Sequence, residues 1–264
     1  MDSEALGTQE QQGEWHYQWS HFEDNESFLF RDWIAPNTLE SFAGLRVFEG
    51  GCGSGHHTRL VAAHCEHTTA VDLNTSDLAQ AVAAEHPNVR VLAGDVAAIR
   101  LKETFDVVFS VGVVHHTDDP DATVANLKRL VAPGGRLILW VYSREGNFLA
   151  RNLVERPRRA VLRHLPRPAV HALAWAQTIA IHPVVHTVYR LPIPSLPYYQ
   201  YMKNWRRLPF ERNVVNVFDK LNAPQTQFIS ERRARSWADD ADFELEHLSD
   251  YLGVSWRLTL RRRS

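Results

Sequence analysis

Between residues 45 and 142, short apolar runs alternate with longer segments whose apolar positions recur at helical spacing. Val47-Phe48, Thr69-Ala70-Val71-Asp72-Leu73, Val89-Arg90-Val91-Leu92, Phe105 to Ser110 and Arg136 to Tyr142 read as five strands, each bounded by turn-forming residues. His57 to His67, Asp77 to His86 and Ala125 to Val131 read as the helices between them. Asp119-Pro120 marks a helix start, a capping side chain followed by a residue that needs no amide donor in the first turn. Pro133-Gly134-Gly135 turns the chain before the fifth strand. Strands this rich in Val, Ile and Leu, alternating with helices, predict a parallel sheet buried on both faces, an α/β doubly wound architecture whose ligands gather beyond the carboxyl ends of the strands. Phe243 to Leu248 and Val254 to Leu260 alternate apolar and polar residues and predict a terminal antiparallel hairpin.

The first strand runs into Glu49-Gly50-Gly51-Cys52-Gly53-Ser54-Gly55, where alternating glycines supply positive φ or room for a ligand against bare backbone. His56 stands where a dinucleotide fingerprint needs its third glycine, which argues against NAD or FAD. Asp72 follows Gly51 by 21 residues, about where a strand–helix–strand unit places a carboxylate against ribose hydroxyls.

With Glu49 ahead of Gly51, Gly53 and Gly55, this stretch resembles the first motif of class I S-adenosylmethionine-dependent methyltransferases, and Val113-Val114-His115-His116-Thr117-Asp118-Asp119-Pro120 resembles their loop after the fourth strand. The resemblance covers about residues 45 to 142 and implies a Rossmann-like, mostly parallel seven-stranded sheet closed by the antiparallel hairpin. It implies S-adenosyl-L-methionine as cofactor, contacted by Glu49, Gly51, Cys52, Gly53, Gly55, Asp72, Leu73, Asp95, Val96 and Ser110, with Asp95 against the adenine amino group. His116, the better matched of the pair, and His115 are the candidate catalytic residues, as base or substrate orienter, against a purely structural role in the loop.

Composition narrows the partners. The chain has 264 residues, a net charge of −2 and two cysteines, so no global nucleic-acid footprint and no disulfide framework is expected. The fourteen histidines are not read as a metal site, and no metal is expected. The polar stretch 1–13 reads as a disordered tail without a signal peptide, making the cytoplasm the expected compartment. After it, 14–44 concentrates Trp15, Tyr17, Trp19, Phe22, Phe28, Phe30 and Trp33, expected as cap helices over the sheet, with His16, Tyr17 and His21 as candidate substrate contacts.

Residues 143–229 form an insertion between the core (45–142) and the closing segment (230–264). Arg151 to Arg167 reads as a cationic amphipathic helix pair broken at Pro157, and Ala169 to Val188 carries only His171, His182 and His186 as ionisable groups. Three histidines and Pro183 exclude a membrane span, leaving a lid, the favoured reading, or peripheral membrane contact through 151–188 with Arg158, Arg159 and Arg163 toward headgroups. Pro192 to Pro197 is an extended break. Tyr198, Tyr199, Tyr201 and Trp205 either cap the substrate pocket, with Arg206 or Arg207 for an anionic group, or anchor the insertion to the core; Tyr199, Trp205 and Arg206 join Tyr17 and His21 as substrate candidates. Val217 to Pro224, followed by Ser230 to Trp237, resembles a stretch found in a subset of these methyltransferases.

The resemblance implies methyl transfer to O, N or C of a small-molecule acceptor: a secondary metabolite, a quinone precursor or a sugar-containing metabolite. Two alternatives stand beside it, a cofactor-binding protein without catalysis that serves a partner or regulator, and a peripheral-membrane methyltransferase with a lipid-like acceptor. Ser110-Val111-Gly112-Val113 replaces the Asn/Asp-Pro-Pro-Tyr/Phe motif that holds a flipped base or amide, so RNA and protein acceptors rank lower.

Overall fold

A computed structural model describes residues 13, 15–21, 26–154, 162, 165–223 and 225–264. Most of the stretch read as a tail, Phe22, and the cationic segment with Arg156, Pro157, Arg158, Arg159, Arg163 and His164 lie outside these residues. Seven strands form one sheet: β1 (Arg46–Gly50), β2 (His67–Asp72), β3 (Val89–Ala93), β4 (Phe105–Val111), β5 (Val131–Tyr142), β6 (Phe243–Tyr251) and β7 (Ser255–Arg262). Their order is β3-β2-β1-β4-β5-β7-β6, parallel from β3 through β5, with β7 antiparallel to both β5 and β6. The expected Rossmann-like doubly wound sheet with a reversed terminal hairpin is therefore present. Because the chain leaves β1 toward β2 and β3 and then returns to the other side of β1 for β4, a crevice opens beyond the carboxyl ends of β1 and β4.

Side chains of the central strands alternate between two apolar layers, as the pleat demands. Phe48 and Val108 face one layer, with Leu127 and Leu139, while Val47, Val107 and Phe109 face the other, with Phe30, Val61 and Ile138. The helices are α1 (15–21), α2 (Ser27–Ile34), α3 (His56–Ala62), α4 (Ser76–Glu85), α5 (Pro120–Arg129), α6 (Arg167–Thr187), α7 (Tyr199–Trp205), α8 (Phe210–Asn222) and α9 (Glu231–Ser236). Asp119 caps α5 as its sequence predicts, one carboxylate oxygen accepting from the amides of Asp121 (3.0 Å) and Ala122 (3.1 Å). Two boundaries move. The helix read from 57 to 67 ends at Ala62, because His67 is already paired with Arg46 in the sheet, and strand register outweighs local helical spacing. The turn at Pro133 to Gly135 lies within β5, which pairs Val131 with Phe105, shifts register, and resumes at Arg136.

The insertion starts and ends at one point. Ser143 and Ile229 bridge each other, Arg144 donates its amide to Ile229, and Ile229 donates to Tyr142 (both 2.9 Å). Between them α6, α7 and α8 bury a third apolar cluster that includes Val170, Ala174, Val185, Trp205, Val217 and Phe218.

Asn126 on α5 holds the loop after β3 against the sheet. Its side-chain amide donates to the carbonyls of Val96 (2.9 Å) and Ile99 (3.1 Å), and its oxygen accepts from Arg100. Asn126→Ala orphans these groups in a site where Asn126 is buried and is expected to lower stability by about 1–3 kcal/mol. Urea denaturation checks this; an unchanged midpoint would show that solvent replaces the bonds.

Candidate active site

At the end of β1 the chain makes a turn that only glycine accommodates. Gly51 has φ of +81°, and a Cβ there would lie 2.3 Å from Val113 Cγ2, so any side chain would push the turn off the loop after β4. Gly53, at φ +55°, lies against Trp19 of α1, whose ring a Cβ would meet at 3.3 Å. The amides of Gly51 and Cys52 donate to the Val71 carbonyl at 2.8 and 3.1 Å, joining the turn to β2.

Asp72, the last residue of β2, completes this attachment. One carboxylate oxygen accepts from the Gly53 amide (2.9 Å), the other from the amides of Asn74 (3.0 Å) and Thr75 (3.1 Å). A carboxylate has about four acceptor sites, so one remains for a ligand hydroxyl. The turn, Asp72, Leu73, Asn74, Asp95, Val96 and Ala97 line a cleft of about 380 Å³, closed opposite by Trp15, Gln18 and Trp19 of α1. Asp95 is exposed there, its carboxylate accepting from the Ala97 amide at 2.8 Å. Cys52 also lines the cleft, where burial pushes its thiol pKa up.

Glu49 lies outside the lining, 1% exposed, where Thr58 of α3 donates to one of its oxygens and His57 Nδ1 stands 3.8 Å from the other. Burial, reinforced by the charge of Asp72, pushes its pKa up to about 8, against the lowering effect of the Thr58 bond. Gly55 and Ser110 are likewise behind the cleft. Gly55 is the residue before α3, where a Cβ would meet Val82 at 2.7 Å, and the Ser110 hydroxyl donates to the Gly50 carbonyl at 2.8 Å.

The loop after β4 forms the far wall. His116 reaches the cleft, with Nδ1 2.7 Å from the Gln225 carbonyl and its ring 4.8 Å from that of Trp15. His115 is fully buried, its ring tilted against that of Tyr142 with centroids 4.2 Å apart, and burial followed by the charge of His116 lowers its pKa well below the usual imidazole range. Asp219 of α8 joins this wall to the insertion, accepting from the Tyr142 hydroxyl (3.0 Å) and the Gln18 side-chain amide (3.2 Å). Burial and then the charge of Asp219 keep Tyr142 well above the usual phenol range, so it stays a neutral donor. Trp33, Trp140, Tyr142, Asn216 and Asp219 also bound a second, mostly apolar cavity of about 310 Å³ beneath the insertion.

Residues 48–139 match the methyltransferase-domain family model. Over these residues the chain carries a methyltransferase domain. It is 32% identical over 135 residues to tRNA U34 carboxymethyltransferase of Hydrogenovibrio crunogenus, an alignment covering 48% of this chain and 37% of that protein. It is 32% identical over 146 residues to the ubiquinone biosynthesis O-methyltransferase of Aromatoleum aromaticum, covering 52% and 58%. Both alignments thus span less than two thirds of the relative. Among solved structures, 1,6-didemethyltoxoflavin-N1-methyltransferase of Burkholderia thailandensis, with its acceptor and S-adenosylhomocysteine bound, shares the fold with a TM-score of 0.56 at 13% identity, over 100% of this chain and 92% of that one.

Residues of the methyltransferase domain fit an adenosyl sulfonium. The slot between Gly53 and Trp19 is one a Cβ would fill, and Asp72 and Asp95 bring two carboxyl groups to the lining of the same cleft. Of the residues expected at the cofactor, the structure gathers Gly51, Cys52, Gly53, Asp72, Leu73, Asp95 and Val96 at the cleft. The substrate candidates disperse. Trp205 lines the apolar cavity, but Tyr199 lines neither space, and Arg206 lies on a separate surface pocket. Tyr17 and His21 stack on each other, ring centroids 4.0 Å apart, outside the cleft lining. Trp15, Gln18 and Trp19 take their place, because one helical face of α1 turns inward and the sequence does not say which. Tyr142 and Asp219, 77 residues apart, carry no sequence signal that joins them.

The raised Glu49 pKa has a stability consequence. Between the unfolded value, near 4.5, and about 8, the folded domain holds a proton that the unfolded chain releases, so stability falls as pH rises through that window. Glu49→Gln removes this titration: relative to the substituted protein, the parent is expected to become progressively less stable from pH 5 to 8, read by urea midpoints at each pH without cofactor. Parallel profiles would show that Glu49 is ionised when folded.

Proposed function

We propose that the chain transfers the methyl group of S-adenosylmethionine to O, N or C of a small-molecule acceptor held beneath the 143–229 insertion, which acts as a lid. The observation that carries this reading is the junction of the two cavities at Trp33, Trp140, Tyr142, Asn216 and Asp219. An acceptor in the apolar space would meet the cofactor cleft at one neck. A volume of about 310 Å³ lies in the range of small-molecule sites.

The cofactor, when bound, supplies an activated methyl carbon for in-line displacement. The chain's own part is alignment and exclusion of water, and well-oriented reactants gain on the order of 7 to 11 kcal/mol. The rings of Trp33 and Trp140, 4.9 Å apart, wall the neck with faces that attract a cation. A carbonyl only accepts, so His116 donates its Nδ1 proton to Gln225, and in the neutral ring Nε2 keeps the lone pair. That nitrogen is our choice for drawing the proton from the acceptor. Buried, neutral His115 packs beside it, ring centroids 4.2 Å apart, as a positioning residue.

The relatives named for tRNA favour a second reading, an RNA acceptor, although their likeness is confined to about half of this chain. Incubating the protein with methyl-labelled S-adenosylmethionine and a cell extract, then separating nucleic acid from metabolites, distinguishes the two. Label in a small apolar or aromatic molecule is expected; label in RNA would overturn the proposal. With the same extract, His116→Ala is expected to slow labelling by about 10² to 10⁴ while calorimetric affinity for the methyl donor is retained. Loss of both would return His116 to a structural role.

A further inference from the structure

Helix α6 presents an apolar face to solvent over its whole length. Every exposed position in Arg167–Thr187, namely Pro168, Ala172, Trp175, Ala176, Ile179, Ala180, Pro183, Val184 and Thr187, is apolar except the last. These recur at three- and four-residue intervals and so form one stripe, about 30 Å long at the rise of an α-helix. Val188 and Leu191 continue it. Ten of the eleven large apolar side chains that stand exposed among the described residues lie between Phe148 and Ile193, with Leu153, Phe148 and Ile179 the most exposed. Scattered exposed leucines need no explanation, but a continuous stripe marks a surface that something covers.

Charge indicates what covers it. His186 of α6, Arg190 just beyond it, and Lys203, Arg206 and Arg207 gather around one surface pocket that no acidic residue lines. Arg207 has Asp32 at 3.8 Å, but the Nε of Arg206 is buried without a hydrogen-bond partner. The sequence makes the same point: residues 156–210 contain nine Lys and Arg and no Asp or Glu, in a chain whose net charge is −2. A second copy of this chain seated on the stripe would set cation against cation, since α6 has no acidic residue in either direction along the helix. RNA would satisfy the cations but not the stripe of Trp175, Ile179 and Val184. A bilayer with anionic headgroups satisfies both, Trp175 being suited to the boundary between apolar and wet layers. None of the described helices is long and apolar enough to cross a membrane, which leaves a helix lying in the plane of the surface.

We propose that α6 docks the protein on an anionic lipid surface, its solvent-facing stripe entering the headgroup boundary and the Arg190, Lys203, Arg206 and Arg207 cluster facing lipid phosphates. Leu149 and Leu153 both line the apolar cavity and stand exposed, so an acceptor with an apolar tail has an apolar rim to enter by. The docking itself does not depend on the methyl-transfer reading.

Co-sedimentation of the full chain with sucrose-loaded vesicles tests it. Vesicles of phosphatidylcholine with phosphatidylglycerol are expected to bind the protein, and pure phosphatidylcholine much less. Ile179→Glu with Val184→Glu should lower the partition coefficient at least tenfold; Arg190→Glu with Lys203→Glu should remove most of the preference for anionic vesicles and its salt sensitivity. All four positions are outside the cofactor cleft, so affinity for S-adenosylmethionine and the unfolding midpoint should stay at parent values, and a fall in either points to altered folding and calls for Ile179→Ser instead. No binding to either vesicle, or binding that both double variants leave unchanged, overturns the proposal. So does a dimer by light scattering that Ile179→Glu dissolves, or retention of RNA without vesicle binding.

Discussion

The carboxylate of Asp72 clamped onto backbone amides is the interaction on which the site depends. Asp72 ends β2, yet its oxygens hold Gly53 in the turn after β1 and Asn74 and Thr75 in its own following turn. Three amides point inward at one anion, so the two loops that must move together to form a ligand edge are tied by charge-assisted bonds. The bond is available only because Gly51 and Gly53 take positive φ, and because Gly51 lets Val113 approach where a methyl group would collide. One acid and two glycines thereby fix the positions of β1, β2 and the loop after β4.

Glu49 extends that constraint below the cleft. Its neighbour Asp72 holds three amides on its two oxygens, whereas Glu49 is buried away from water, where the charged form of a carboxyl group is disfavoured. Burial gives the proton to Glu49, whose bond from Thr58 fastens β1 to α3. The acid ahead of the glycines thus serves the turn from behind, while the acid that ends β2 lines the cleft. Both are visible as strand-end carboxylates in the sequence, and only their surroundings separate the two tasks.

The succession of strands along the chain, the glycine turn and the capped start of α5 are legible because each depends on a local rule: apolar runs, glycine spacing, a side chain that caps its own helix. What was not legible depends on rotation and on long-range approach. Helical spacing marks Trp15, Tyr17, Trp19 and His21 as one aromatic segment, but which of them faces the cleft follows from how α1 docks, and it docks with Trp15 and Trp19 inward. Asp219 is one unremarked residue of the 217–224 stretch until folding brings it to Tyr142 and Gln18. Arg206, adjacent to pocket-lining Trp205, faces elsewhere because neighbours on a helix diverge by about 100°.

The insertion shows how one segment serves two environments. Because Ser143 and Ile229 are bridged, the insertion leaves the sheet and returns to it at one point, and its helices satisfy their own cluster, the bonds of Asp219 and Gln225 to the core, and whatever they cover. On the short helix α7, Tyr201, Met202 and Trp205 line the apolar cavity, while Lys203, and Arg206 at the helix C-cap, line the basic pocket. A segment selected only to pack as a lid would place acids among its bases, since mixed charge on a solvated face is cheap and aids solubility. Residues 156–210 contain no acid at all, and α6 keeps its outward face apolar at every turn. Those two departures from an ordinary protein surface occur in the same stretch, and a single anionic, apolar-centred environment accounts for both.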